Sequence, residues 1–320
     1  MIVRRNLKWS HILYYNWKSL GYFFSLSVAI YILHVEFGYE KLSIPFNAVA
    51  TLSTALAIYL GFKNNNAYDR WWEGRKIWGL LVNYSRAWAR EVLTMIIPTE
   101  AEDTPEALVI QKRLIFRHIA FVHALRVFLR KSRKYNDNGV REILEERNGY
   151  EDIMAFVSEE EYHLTMTKKN PPNYLIKLQG DDLKSAYDKG YITDYRYVRL
   201  SETLSEFNNH QGMGERIKNT PLPRPYSFFS RIFVFIHGTL IPFAFIEDLG
   251  WLNIPLSLII NFVFLALDFV GERTEDPFEN RMDDVPLTSI SLTIEENLKE
   301  MYGGEVEYPT RRQSEHGVVF

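Results

Sequence analysis

The sequence predicts an all-α membrane protein with four transmembrane helices and a large cytoplasmic helical region. Three observations carry that prediction. Four stretches are almost without charge and approach the ~17–25 residues needed to cross a hydrocarbon core. Apolar residues recur at helical spacing through most of the chain between them. Basic residues gather at one end of the apolar stretches, as they do on the cytoplasmic side of membranes. The mean hydropathy of -0.19 conceals this segregation, because a long charged middle dilutes the apolar runs. A chain of 320 residues with 47% hydrophobic and 15% aromatic content has ample material for a core.

Residues 1–19 form a basic, aromatic segment that lacks the continuous apolar core and small-residue cleavage site of a signal peptide. Trp9, Tyr14, Tyr15, Trp17 and Tyr22 suit the headgroup level, and residues 6–18 are expected to lie as an interfacial helix. Residues 20–62 hold the first two transmembrane helices, Leu20–Val35 and Phe46–Phe62, joined outside the membrane by a short link ending in Pro45. The second run carries Asn47, Thr51, Ser53, Thr54 and Tyr59, which a helix facing only lipid has no reason to carry. Its small residues would let other helices approach closely. Lys63 is expected to end it.

Residues 63–226 are expected to be a cytoplasmic helical region. Amphipathic helices are read over Asp69–Ile97, over 106–131 and over Tyr174–Gln211, with short helices and loops across 132–172. Pro98 stops the first, and Thr104-Pro105 opens the second. Arg113, Arg117, Arg126 and Arg130 are expected on a solvated face, and Asp181 and Asp182 in a first helical turn. Residues 227–270 hold the third and fourth transmembrane helices, with Ile232–Ile246 and Trp251–Phe269 as their apolar cores. Arg231 is expected at the membrane surface or against protein. Residues 271–320 form a cytoplasmic C-terminal segment. Arg4, Arg5, Lys8, Lys18, Lys63, Arg70, Arg75 and Lys76 against a single external Lys41 put both termini and the middle region in the cytoplasm.

Composition also excludes chemistry. A net charge of -3 with no Lys/Arg run offers nucleic acid no footprint. With 0 cysteines there is no disulfide, thiolate nucleophile or Cys-based metal site. The 8 histidines make no HExxH and no close pair on one helical face, and no cofactor is expected. His237, inside the third apolar run, reads equally as a functional pointer or as a bond to a neighbouring helix. Glu275, Asp276, Asp283 and Asp284 belong to an acidic cluster that is a weak candidate for calcium. Ion pairing with nearby arginines is the stronger reading.

One pattern stands apart. Thr54, Ile58 and Phe62 lie at i, i+4 and i+8, one above the other on the second helix. They read either as a pore-lining stripe repeated around an axis by several subunits or as ordinary helix packing, which produces such stripes more often. Asn64, Asn65 and Asn66 follow at the helix end, where amides can solvate an ion without fixing a full charge.

The segments MIVRRN, YLGFKNNNAYDRWWEGRKIWG, NTPLPRPYS and GERTEDPFENRMDDVPLTSI keep an order that resembles the bestrophin family, in its prokaryotic branch. The resemblance covers nearly the whole chain. It implies a homopentameric, barrel-like ion channel that passes small monovalent ions through the inner membrane of a bacterium. The partners it implies are further copies of the chain, membrane lipid and the ions. It also implies a hydrophobic neck lined from the second helix, where Thr54, Ile58 and Phe62 fall on the neck positions. A second, cytoplasmic constriction is expected near Tyr195 or Arg196. Eukaryotic members carry Phe at the position of Ile58 and a bulky apolar residue at that of Thr54. The chloride selectivity of that branch is therefore not carried over, and a preference for cations is open. Glu279-Asn280-Arg281-Met282 replaces the start of the acidic run of the eukaryotic calcium clasp, so calcium gating is not expected. The alternatives are a membrane-anchored scaffold or a membrane enzyme with a site among the cytoplasmic helices.

Overall fold

The computed structural model describes residues 9–98, 104–131, 149–281 and 283–303. Arg4, Arg5, Lys8 and the C-terminal tail from residue 304, all read in the sequence analysis, lie outside them, as do residues 132–148. Among the described residues the regular structure is helical, in the order α1 Trp9–Tyr31, α2 Phe46–Met95, α3 Thr104–Arg130, α4 Glu159–Met166, α5 Pro171–Asp188, α6 Asp194–Asn219, α7 Arg224–Leu249, α8 Asn253–Thr274 and α9 Leu287–Tyr302. The chain divides into two compact units.

Among the described residues, the first unit takes 9–71 and 221–276. It contains α1, the first half of α2, α7 and α8. By length and composition three segments could cross a membrane: Leu13–Glu36, Phe46–Met95 and Arg224–Thr274. The last folds as two helices, α7 and α8, because Gly250 takes φ 54° and turns the chain. Phe23, Leu56, Leu60, Val234 and Leu265 form its buried centre, one or more from each helix.

Several polar residues within the apolar runs bond across helices. Pro242 lies inside α7 and brings no N–H for the Gly238 carbonyl four residues earlier. Asn261 Nδ2 of α8 donates to that carbonyl at 3.3 Å. His237 Nε2 stands 2.6 Å from Ser53 Oγ, joining α7 to α2. Of the two readings open for His237, the structure shows the bond to a neighbouring helix.

Among the described residues, the second unit takes those from 72 to 220 and from 277 to 303. Its centre includes Trp78 and Trp88 of α2, Phe121 of α3 and Phe207 of α6, all fully buried. Asn170 caps α5 through the Asn173 N–H, and the prolines that follow occupy its first turn. Gly303 closes α9 at φ 86°.

Four expectations are corrected. α2 does not end at Lys63; it is one helix of 50 residues. A change from apolar to charged sequence does not interrupt the backbone hydrogen-bond ladder, and no proline lies between Phe46 and Met95. The run from Tyr174 to Gln211 is two helices, broken where Gly190 takes φ 74°. Asp181 and Asp182 stand inside α5, away from its first turn. The arginines of α3 do not form a solvated face: Arg117, Arg126 and Arg130 are buried, and only Arg113 keeps substantial exposure. Arg117 grips Glu161 through two bonds of 2.6 and 2.7 Å and also pairs with Asp182. Arg126 meets Asp152 at 2.6 Å, and Arg130 donates to Thr288 at 2.7 Å. Buried charge is tolerated when it is paired or hydrogen-bonded in this way.

Candidate pore site

The first half of α2 has two unlike faces. Leu56, Leu60, Lys63 and Ala67 turn inward and are buried. On another side of the helix Thr54, Ile58 and Phe62 are exposed, Ile58 at 57% and Phe62 at 69%. Thr54 Oγ1 donates to the Ala50 carbonyl at 3.0 Å, so its hydroxyl proton is held within the helix. No charged side chain interrupts the stripe, whose surface is a methyl-bearing hydroxyl, an aliphatic group and an aromatic ring. The structure thus brings the three predicted residues onto one open face.

The three asparagines divide. Asn64 turns toward α8 and donates to the Leu267 carbonyl at 3.1 Å, while Asn65 and Asn66 are exposed. The approach of α8 depends on Gly271, since a Cβ there would lie 2.1 Å from Asn64 Oδ1. The exposed amides present donors and acceptors at the next helical turn beyond Phe62.

Behind the stripe stand residues that spacing alone did not single out. Lys63 Nζ lies 2.7 Å from Asp268 Oδ1 and 2.9 Å from Ser230 Oγ, and Ser230 Oγ lies 2.7 Å from the same carboxylate oxygen. All three side chains are buried. A lone lysine closing one apolar run and a lone aspartate late in another were the available signal, because isolated opposite charges at such places need each other. Arg231, on α7, is more than half exposed and bonds Glu272 at 2.5 Å.

In the second unit Tyr195, in the first turn of α6, is 90% exposed. Arg196 Nη1 donates to the Met95 carbonyl at 3.1 Å and thereby caps the end of α2. Of the two constriction candidates, only Tyr195 presents its side chain openly.

The acidic candidates have partners of their own. Glu275 accepts from Ser227 Oγ at 2.9 Å, and burial holds its carboxyl above the ordinary carboxylate range. Asp276 lies 3.9 Å from Arg70. Asp284 accepts from the Arg281 backbone N–H at 3.0 Å. Asp283, in the turn just before it, is half-buried. Among the described residues no three His, Cys, Asp or Glu side chains are gathered to hold a metal ion.

These features can be set beside known proteins. A family model described as bacterial/fungal bestrophin protein matches residues 7–300. The chain is 30% identical over 294 residues to the voltage-dependent anion channel-forming protein YneE of Escherichia coli K12, covering 91% of this chain and 87% of that protein. It is 31% identical over 259 residues to the voltage-dependent anion channel-forming protein mll4386 of Mesorhizobium japonicum, covering 81% and 75%. A crystal structure of a bacterial bestrophin homologue from Klebsiella pneumoniae matches with a TM-score of 0.78 at 26% identity, covering 90% of this chain and 98% of that one. The chain belongs to the bacterial/fungal bestrophin family.

Proposed function

We propose that this protein forms a passive ion channel for small monovalent ions, with its neck lined by Thr54, Ile58 and Phe62. The observation that carries the reading is the open α2 stripe: two large apolar side chains stay exposed on a membrane-length helix, while Ser53 and Tyr59 of the same helix bond to residues of α7. An apolar ring of this kind controls passage through its width and wetting, since a bare ion pays heavily to enter it. Membership of the bestrophin family makes the protein a channel-family member and not an enzyme. Five copies around the stripe, four crossings per subunit, cytoplasmic termini and residence in a bacterial inner membrane complete the proposal. Asn65 and Asn66 would solvate ions leaving the neck, with Asn64 behind them, and Tyr195 would form the second constriction with Arg196 behind it.

In this reading opening needs no calcium, because the carboxylates after α8 are engaged by Ser227, Arg70 and the Arg281 backbone. The neck favours cations, since it is less aromatic than that of eukaryotic members and its only polar group is an oxygen. A second reading, anion preference, is favoured by the names of the relatives, which are called anion channel-forming proteins. The reversal potential of purified protein in planar bilayers under a KCl gradient decides between them, measured before and after Ile58→Phe. A value near the potassium equilibrium potential supports the first, and a value near the chloride potential supports the second. Absence of current would return the reading of a membrane-anchored scaffold.

A further inference from the structure

We infer that Lys63 and Asp268 form a charge-balancing pair behind the neck, and that this balance sets how the neck discriminates between anions and cations. The inference rests on the reading of Thr54, Ile58 and Phe62 as the neck. Lys63 follows Phe62 directly, so its backbone shares a helical turn with the innermost neck residue, while its side chain runs to the opposite side of α2. There it is 4% exposed, and Asp268 is 5% exposed. The two meet at 2.7 Å, with Ser230 Oγ bridging them. Arg231 Nε lies 4.0 Å from the other Asp268 oxygen and its Nη2 lies 2.5 Å from Glu272. Two positive and two negative groups therefore sum to zero.

A buried ion pair is a poor device for stability alone. Well-packed apolar residues of similar volume usually serve as well or better, and α7 and α8 already pack through apolar contacts with α2. A helix with its side chains is about 10–12 Å across. An unbalanced charge on the far side of α2 would thus act on an ion in the neck through protein rather than water, where salt screens it little. Removing either partner leaves such a charge, repeated in every subunit. Gly271 lets the neighbouring Asn64 pass close beneath α8, since a Cβ there would lie 2.1 Å from Asn64 Oδ1, while Lys63 Cε would stand at an ordinary contact distance of 3.5 Å.

The test is the reversal potential of the purified channel in planar bilayers under a KCl gradient. Asp268→Asn, which leaves Lys63 unbalanced, is expected to move the permeability ratio several-fold toward chloride. Lys63→Met, which leaves the carboxylate, is expected to move it several-fold toward potassium. The double variant should return close to the parent value, and Lys63→Arg should not shift it. Lost packing would not produce shifts of opposite sign that cancel. Should the buried variants fail to assemble, Arg231→Gln, at a more exposed position, removes a positive charge from the same cluster and is expected to shift the ratio toward potassium, most clearly at low salt. Single variants that shift the ratio in the same direction, or not at all, overturn the inference, as does an unshifted Arg231→Gln channel. Ile58→Ala separates the two levels. If it alters conductance while the pair variants leave selectivity alone, only the charge-balance inference fails. If it too changes nothing, the neck reading fails and the inference with it.

Discussion

Asn261 Nδ2 donates to the Gly238 carbonyl at 3.3 Å, and that bond fills a place left open by the chain's own chemistry. Pro242 cannot supply the N–H that would ordinarily meet that carbonyl. The absence of a Cβ on Gly238 lets both Asn261 and Phe23 come close enough to pack there. The asparagine in the middle of α8 is thus explained by a proline on the neighbouring helix.

The close approach predicts that Gly238→Ala will destabilise the protein. A Cβ at that position would lie 2.3 Å from Asn261 Oδ1 and 2.6 Å from the Phe23 ring. Overpacking of this kind costs about 1–3 kcal/mol. Asn261→Leu should cost a similar ~1–3 kcal/mol by leaving the carbonyl unsatisfied in an apolar setting. Thermal unfolding in detergent reads both, and an unchanged midpoint for either variant contradicts the account.

Arg117 is expected to be among the most sensitive positions in the second unit. It holds Glu161 through paired bonds of 2.6 and 2.7 Å and pairs with Asp182 as well. Arg117→Met strands two carboxylates, one of them largely buried, and breaking a buried pair costs about 3–5 kcal/mol. Arg117→Lys should recover only part of this, because an ammonium cannot reproduce the planar fork. Equal denaturant midpoints for the lysine variant and the parent would contradict the assignment.

Asp284 should make stability depend on pH. Burial pushes its carboxyl up to about 7. The folded protein therefore binds that proton more tightly than the unfolded chain, whose carboxyl titrates near ~3.9. The stabilisation is complete below about pH 4 and is lost as pH rises through about 7, a change of the order of 1–4 kcal/mol. His118, pushed down to about 3 by burial, acts with the opposite sign and weakens the fold as pH falls below about 6.5. Comparing Asp284→Asn with the parent at each pH isolates the aspartate. The variant should gain stability relative to the parent between pH 5 and 8, and parallel curves would refute the assignment.

Much of the fold was legible because membrane crossing demands apolar length and amphipathic helices demand a period. Both are local properties of the chain. The partners of the arginines were not legible. Arg117 meets residues 44 and 65 positions away, and nothing in its own helix announces them. The continuity of α2 was hidden for another reason: charge marks the end of a hydrophobic environment, and only a backbone property ends a helix. Spacing placed Thr54, Ile58 and Phe62 on one stripe but could not say which way the stripe faced. The buried Leu56, Leu60 and Lys63 decide that, since they occupy the packed side of the same helix.

If the stripe lines a neck, truncating it should widen the passage. Ile58→Ala and Phe62→Ala are each expected to raise single-channel conductance several-fold or to weaken selectivity, because a wider apolar ring wets more readily. Leu56→Ala, on the packed side, should instead lower the unfolding temperature, at about 2–5 kcal/mol, without changing the ratio of permeabilities. Bilayer recordings and unfolding curves on the same preparations separate the two effects.

The most direct measurement uses the absence of cysteine from the sequence. Ile58→Cys places a lone thiol on the stripe, and a charged methanethiosulfonate reagent can be added to a conducting bilayer. The account predicts a stepwise fall in current that persists after washout and is reversed by a reductant, with the cysteine-free parent unaffected. A current that stays constant after mass spectrometry has verified modification at position 58 would contradict the claim that this face of α2 lines the path of the ions.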